Sequence, residues 1–423
     1  MSNNFDSNFT RKLAGVFLDK FESTRVMSKN VNTQLLSGKF DEGSGENVDF
    51  KRPTDYKSNR SAGGDMTSVA PDSIISGKAT GTVQDYFTVH VDFNEADEAL
   101  KMDQLDQLLA PMATRIVTDL EVDFAAFMMK NSGLLAGTIG EGVATWDEVA
   151  TAGAVMSSNG VPADDDWYYA VNPYTQKSLA GVQRSLGAVD PLVKTAHEKA
   201  TISDDFAGMR VMTATTLASY TSTALTDRAG VIGSIDVTYL TAKDTMTQSI
   251  ACTGFEAEVN TIPAGSVVQI TGRNRVNQST RQPILDDTGA NIPWTGVVTT
   301  DASTTAGGAV TLIVSGPAIW ETDGAHNTTD TAAAAADVIT ILGAASTLYQ
   351  PNLFWHKQAF GIGSVPIKKL YSTDTLATTE DGLQFRISKG ADFLANKQMV
   401  RFDFRPAYSV LNPFFAGQGY GVA

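Results

Sequence analysis

The feature that most restricts what this chain can fold into is a change of rhythm in its middle. From about residue 226 to 348 the sequence is rich in Thr, Val, Ala and Gly, and short runs such as "SVVQITG", "TGVVTTD", "AVTLIVSG" and "DVITILG" alternate apolar with small or polar residues. A two-residue period puts successive side chains on opposite faces of a strand, so this stretch predicts a separate all-β module, a small barrel or sandwich. Helical periodicity precedes it and longer mixed strands follow it. The module is therefore inserted into another domain rather than appended to one.

The clearest helix precedes the insertion. In "MDQLDQLLAPMATRIVTDLEVDFAAFMMKNSG", Leu105, Leu109, Met112, Ile116, Leu120, Phe124 and Phe127 recur at steps of three and four, with Pro111 expected to start or kink the main helix and Gly133 to stop it. Near the N-terminus, "FTRKLAGVFLDKFESTRVMSKN" places Leu13, Val16, Phe17 and Phe21 on one helical face. This amphipathic arm is expected to need a partner surface, so that removing residues 1–30 leaves a folded monomer with impaired assembly. Between arm and helix, "NVDFKRP" and "YFTVHVDF" alternate like strands, flanking the polar stretch "SNRSAGGDMTSVAPDSIISGKATG". A loop of that length is more than a compact domain keeps without a use for it.

Residues 146–225 alternate helix and strand, with helices expected at "TWDEVATAGAVMSS", "PYTQKSLAGVQRS" and "PLVKTAHEKA", a buried strand at "WYYAVN" and another at "MRVMTAT". An α+β fold with an inserted all-β barrel-like domain accommodates all of these elements. The 423 residues suffice for two or three domains with their own cores.

Charge and cysteine content narrow the function. The net charge of −15 opposes binding to a phosphate backbone, although it also suits a protein that must line a DNA-filled space without gripping it. The lone Cys252 excludes an internal disulfide and any zinc cluster built on several thiols. The N-terminal "MSNNFDSNFTRKLAG" has no apolar signal core and "TAAAAADVITILGAAS" is broken by Asp337, which predicts synthesis in the cytosol and no membrane partner.

No motif carries chemistry. His356, beside Trp355, reads as a half-buried strand residue because no nucleophile stands near it. The Gly-Ile-Gly at 361–363 lacks the context of a dinucleotide loop and reads as a bulge or a close backbone approach. Asp164, Asp165 and Asp166 lack calcium-loop spacing and read as a solvated turn. No catalytic residue, metal site or cofactor is expected.

Two charged clusters remain as candidate inter-subunit contacts. Lys51, Arg52, Lys57 and Arg60 lie on the long polar loop, where they suit either phosphates or an acidic neighbouring subunit, and the chain's own acidity favours the subunit. Arg273, Arg275, Arg281, Asp286 and Asp287 lie in the β module and suit either an inter-subunit ion-pair loop or an ordinary solvated turn.

The order of arm, long hairpin, spine helix, mixed domain, β insertion and returning strands resembles that of the major capsid proteins of short-tailed enterobacterial phages. The resemblance covers nearly the whole chain and is carried by "LLSGKFDEGSGENVDFKRP", "ISGKATGTVQDYFTVHVDF", "QLLAPMATRIVTDLEVDFAAFMM", "YAVNPYTQKSLA", "PNLFWHKQAFGIGSVPIKKL" and "MVRFDFRPAYSVLNP", in that order. It implies the tailed-phage capsid fold: an N-terminal arm at 1–47, an E-loop at 48–93, a peripheral domain with the spine helix at 94–145, an axial domain at 146–225, the inserted β domain at 226–348 and a return to the peripheral and axial core at 349–423. It also implies a non-enzymatic shell protein of the virion, assembled in the host cytoplasm into hexamers and pentamers around double-stranded DNA, with scaffolding and portal proteins as partners. Scaffold contact is expected around Arg11, Lys12 and Lys20 of the arm. Two other function classes are open to the residues alone: a carbohydrate-binding or tail-associated protein that uses the β module for recognition, and a hydrolase with a β accessory domain.

Overall fold

The structure, a computed structural model, describes residues 5–33, 47–52, 55–71, 73–94, 105–185, 196–200, 202–203, 205–257, 259–371, 374–392 and 397–422. The chain divides into two compact units, one of residues 1–48, 80–125 and 360–409, the other of residues 49–79, 126–359 and 410–423.

The first unit is built on an antiparallel sheet of four strands in the order Thr375–Thr378, Gln384–Asp392, Lys397–Phe404 and Phe87–Asn94. Lys397–Phe404 and Phe87–Asn94 pair along their whole length, from Lys397 opposite Asn94 to Phe404 opposite Phe87. Phe385, Phe402 and Phe404 are fully buried on one face, where helix α1 (Phe5–Thr24) covers them. Phe17 stacks on Phe402 with ring centroids 4.7 Å apart, and Phe21 meets Phe385 edge-on at 4.4 Å. The apolar face of the arm is thus satisfied within its own unit. The expectation that it waits for a neighbouring subunit is corrected.

The arm is also held by charge. Glu121, on helix α2 (Leu105–Asn131), is buried and accepts hydrogen bonds from the backbone N–H groups of Met27 and Ser28 at 2.9 and 3.0 Å and from the Ser28 hydroxyl. Arg25 donates to Asp381 at 2.8 Å. Arm residue Asn32 then exchanges backbone hydrogen bonds with Phe360 and Ile362 at 3.0 and 2.9 Å, the close backbone approach expected at Gly361. Helix α2 ends at Asn131, two residues before Gly133, and contains Pro111.

The second unit contains a six-stranded sheet and a closed barrel, besides two short two-stranded sheets. The first has six strands in the order Leu134–Ala136, Ala416–Gly419, Asn352–His356, Trp167–Val171, Met209–Thr213 and Asp205–Phe206. Its two central strands, Trp167–Val171 and Asn352–His356, are buried at every position, as a sheet covered on both faces requires. Trp355 stacks on Tyr168 and Phe354 on Tyr169. The segment after Tyr349 is where the chain re-enters this sheet on leaving the insertion, and its aromatic residues are packing residues. Gly417 permits the packing, because a Cβ there would lie 2.2 Å from the Phe354 ring.

Helix α3 (Trp146–Ser158) starts at a capping box in which Glu148 donates its N–H to Thr145 and accepts the Thr145 N–H at 2.8 Å. Helix α4 (Pro173–Arg184) starts with Pro173 behind the cap Asn172, which accepts from Thr175 at 2.7 Å. Of the helix expected over "PLVKTAHEKA", residues 191–195 lie outside the described residues.

The insertion is a closed barrel of six strands, in the order Thr247–Thr253, Val310–Ser315, Pro293–Val298, Val267–Asn274, Val338–Ile341 and Ala229–Ile235. Closure leaves no strand edge exposed to pair with another chain. The alternation seen in the sequence sorts cleanly: Ile250, Cys252, Leu312, Val314, Ile339 and Ile341 point inward around the fully buried Trp294. Gly296 leaves room for that indole, since a Cβ there would lie 2.9 Å from it.

Candidate assembly surfaces

The long loop divides into an anchored base and an exposed tip. At the base, the Lys78 ammonium pairs with Asp49 at 3.0 Å and the Arg52 N–H donates to the Gly77 carbonyl at 2.8 Å. Ile75 packs on a small cluster of Tyr239, Ala242 and Ile319. Residues 55–71 are exposed throughout, and Tyr56, Met66, Val69 and Ile74 present apolar surface to solvent.

Of the four cations expected on this loop, Lys51, Lys57 and Arg60 are exposed. Arg52 is not: it is buried, donates Nη2 to the Val410 carbonyl at 3.0 Å, and burial lowers its pKa to about 10. It belongs to the interior of its unit and is removed from the candidate contacts.

The cluster in the β module also separates. Arg273 makes a bidentate pair with Asp337 at 2.8 and 2.7 Å and donates to Thr331 at 2.9 Å, all within the barrel. Arg281 pairs with Asp55 of the long loop and donates to the Asn327 carbonyl at 3.0 Å. Arg275 is buried. These three arginines find their partners inside the chain, so the expectation of an inter-subunit ion-pair loop is corrected for them. Asp286 and Asp287 remain exposed. Asp286 caps its own turn, accepting from the Thr288 hydroxyl and the Thr288 and Ala290 N–H groups at 2.8–2.9 Å, and these bonds hold its carboxyl below the ordinary range.

On the arm, Arg11 and Lys20 are exposed, and the Lys12 side chain lies outside the described residues.

His356 and Asp164 form the arrangement most like a catalytic dyad, and their hydrogen bonding argues against that role. Nε2 of His356 lies 3.1 and 3.2 Å from the two Asp164 oxygens, while Nδ1 accepts the Gln358 N–H at 3.1 Å. An Nδ1 that accepts leaves the proton on Nε2, which donates to Asp164, so neither nitrogen is free to take a proton from a nucleophile. The residue is 1% exposed, fully rather than half buried. Burial, the largest influence on Asp164, would raise its pKa, but the hydrogen bonds from His356 and the Asp166 N–H together outweigh it and the carboxyl sits below its usual value. The acidic turn at 164–166 is therefore tied to the sheet rather than simply solvated. Among the described residues, no group of three or more His, Cys, Asp or Glu could hold a metal ion, and no helix is long and apolar enough to cross a membrane.

Among the buried polar groups that escaped sequence reasoning are Glu121, Arg386 and Asp403. Arg386 donates to Asp403 at 3.1 and 2.5 Å, and Asp403 also accepts from Arg401 at 2.6 Å and Thr88 at 2.8 Å. The signal for Asp403 was its place between Phe402 and Phe404; for Glu121, its place between Leu120 and Phe124 on the apolar stripe.

The family model described as P22 coat protein, gene protein 5, matches residues 1–421. The major capsid protein of Acyrthosiphon pisum secondary endosymbiont phage 1 is 37% identical over 423 residues, with 100% of both chains covered. Among solved structures, one from Mycobacterium phage Che8 aligns with a TM-score of 0.48 and 11% identity over 93% of this chain and 90% of its own. The capsid structure of the Cyanophage P-SCSP1u aligns with a TM-score of 0.43 and 13% identity over 94% and 88%. The structural likenesses are weak, and the assignment rests on the two sequence matches. Since they run the length of the sequence, this chain belongs to the P22 coat protein family.

Proposed function

We propose that this phage coat protein builds its head from hexamers and pentamers of an icosahedral shell enclosing double-stranded DNA. The observation that carries the reading, beside the family, is the exposed loop at residues 55–71 with Tyr56, Met66 and Val69 open to solvent. A long polar loop bearing scattered apolar side chains buries little within one chain and becomes useful when a neighbour covers it. In this reading residues 48–93 are the E-loop, 1–47 the N-terminal arm, 94–145 the peripheral domain, 146–225 the axial domain, 226–348 the inserted domain and 349–423 the returning core.

The exposed Lys51, Lys57 and Arg60 would meet an acidic surface on the adjoining subunit, and Asp286 and Asp287 offer such charge on the barrel. Each contact is weak by itself, but a closed shell engages many at once. Packaged DNA lies against the inner face without being read, in keeping with the net charge of −15. A scaffolding protein directs assembly in the host cytoplasm, a portal occupies one vertex, and the chain performs no catalysis. Arg11, Lys12 and Lys20 are the proposed scaffold contact.

Sedimentation velocity of the purified chain tests the assembly. Reversing the charges of Lys57 and Arg60 is expected to block fast-sedimenting particles while leaving the monomer's melting unchanged; particles that form normally overturn the loop contact. Reversing Arg11, Lys12 and Lys20 is expected to reduce scaffold incorporation, and unchanged incorporation overturns the arm contact.

A further inference from the structure

Arg275 is buried with no carboxylate set against its guanidinium. Arg25, Arg273 and Arg386 each pair with an acid, Asp381, Asp337 and Asp403 respectively, while the buried Arg52 donates to the Val410 carbonyl with the charge of Asp244 near it. Arg275 instead donates Nη2 to the Gly133 carbonyl at 3.1 Å, the Thr295 carbonyl at 2.9 Å and the Thr295 hydroxyl at 2.8 Å, and its Nη1 has no hydrogen-bond partner among the described residues. Only neutral oxygens face it, and burial pulls its pKa down to about 10 with no acid to oppose the shift.

This side chain lines a cavity of about 370 Å³ where the barrel meets the six-stranded sheet. The barrel contributes Gln269, Thr295 and Leu342, the segment after helix α2 contributes Leu135, Thr138 and Ile139, and Val155 of helix α3 closes one side. An interior cation without a counter-charge is costly, and a guanidinium gains most from an oxyanion that takes two of its N–H groups at once.

We infer that this cavity is a binding site for a small dissolved oxyanion, phosphate or a carboxylate, which neutralises Arg275 and is held further by Gln269, Thr138 and Thr295. Its occupation ties the inserted barrel to the sheet beneath it and adds to the stability of the folded chain through linkage. The inference does not depend on shell assembly and is tested on the monomer.

The test is isothermal titration and thermal melting of the full-length chain with inorganic phosphate, with citrate in a separate arm to tell a tetrahedral oxyanion from a carboxylate, against chloride at matched ionic strength. The wild type is expected to bind one oxyanion per chain saturably and to melt higher with it than with chloride. Arg275→Gln is expected to weaken binding at least tenfold. Because that variant risks misfolding, Ile139→Trp provides a second test: it fills the cavity, leaves Arg275 in place and is expected to lose binding with the fold intact. Oxyanions that act no differently from chloride on the wild type overturn the inference, as does wild-type affinity in either variant.

Discussion

Replacing Phe17 by alanine asks whether the N-terminal arm belongs to the monomer's core. The ring is 2% exposed, stacks on Phe402 at 4.7 Å and meets Phe385 edge-on at 5.1 Å. A phenylalanine buries ~150–200 Å², which at about 25 cal/mol per Å² amounts to roughly 4–5 kcal/mol, and measured Phe→Ala costs in cores run about 3–5 kcal/mol. At 1.4 kcal/mol per factor of ten, such a loss speeds opening of the local structure about 10²- to 10³-fold. Hydrogen exchange of the unassembled chain measures this directly in peptides covering 384–392 and 397–404, the strands on which the arm packs. Exchange there should rise by that factor, while barrel peptides from 310–315 provide the reference. Unchanged exchange at 384–404 refutes the reasoning, because it means the arm packs only when a neighbour is present.

Three further outcomes follow from buried groups. Asp403 is fully buried; its burial would raise its pKa, but hydrogen bonds from Arg386, Arg401 and Thr88 hold it below the ordinary carboxylate value. The stability it contributes is therefore present above the unfolded pKa of about 3.9 and is lost as pH falls through the lowered folded value. Asp403→Asn should cost about 3–5 kcal/mol in neutral urea titrations by leaving Arg386 unpaired, with part of the acid dependence removed. Gly417→Ala forces a Cβ to 2.2 Å from the Phe354 ring and 2.7 Å from Leu134, and should lower the urea midpoint by the equivalent of about 1–3 kcal/mol or prevent folding, read by tryptophan fluorescence. Cys252 lies in the barrel core with its thiol pushed up to about 12 by burial, so thiol labelling at pH 8 should be negligible in the native chain and should follow barrel unfolding in urea.

The sequence disclosed what periodicity can disclose. The steps of three and four from Met112 to Phe127 define helix α2, and the alternation in "AVTLIVSG" sorts Val310, Leu312 and Val314 to the barrel interior. Periodicity reports which face is apolar and not what covers it. The arm's face was thus assigned to a neighbour when the strands at 384–404 cover it from more than 360 residues away in the chain. The arginines failed for the same reason: Arg273 and Arg281 stand in polar, turn-rich sequence, and their partners Asp337 and Asp55 are distant in the chain. Arg275 sits two residues from Arg273, just past the end of the strand Val267–Asn274, and only the packed structure separates an ion-paired arginine from a buried one.

Electron microscopy of the chain expressed with and without a scaffolding protein, after size-exclusion chromatography, tests the central claim most directly. Closed shells of uniform diameter, built from hexamers and pentamers, are the predicted result. A chain that stays monomeric under every condition contradicts it.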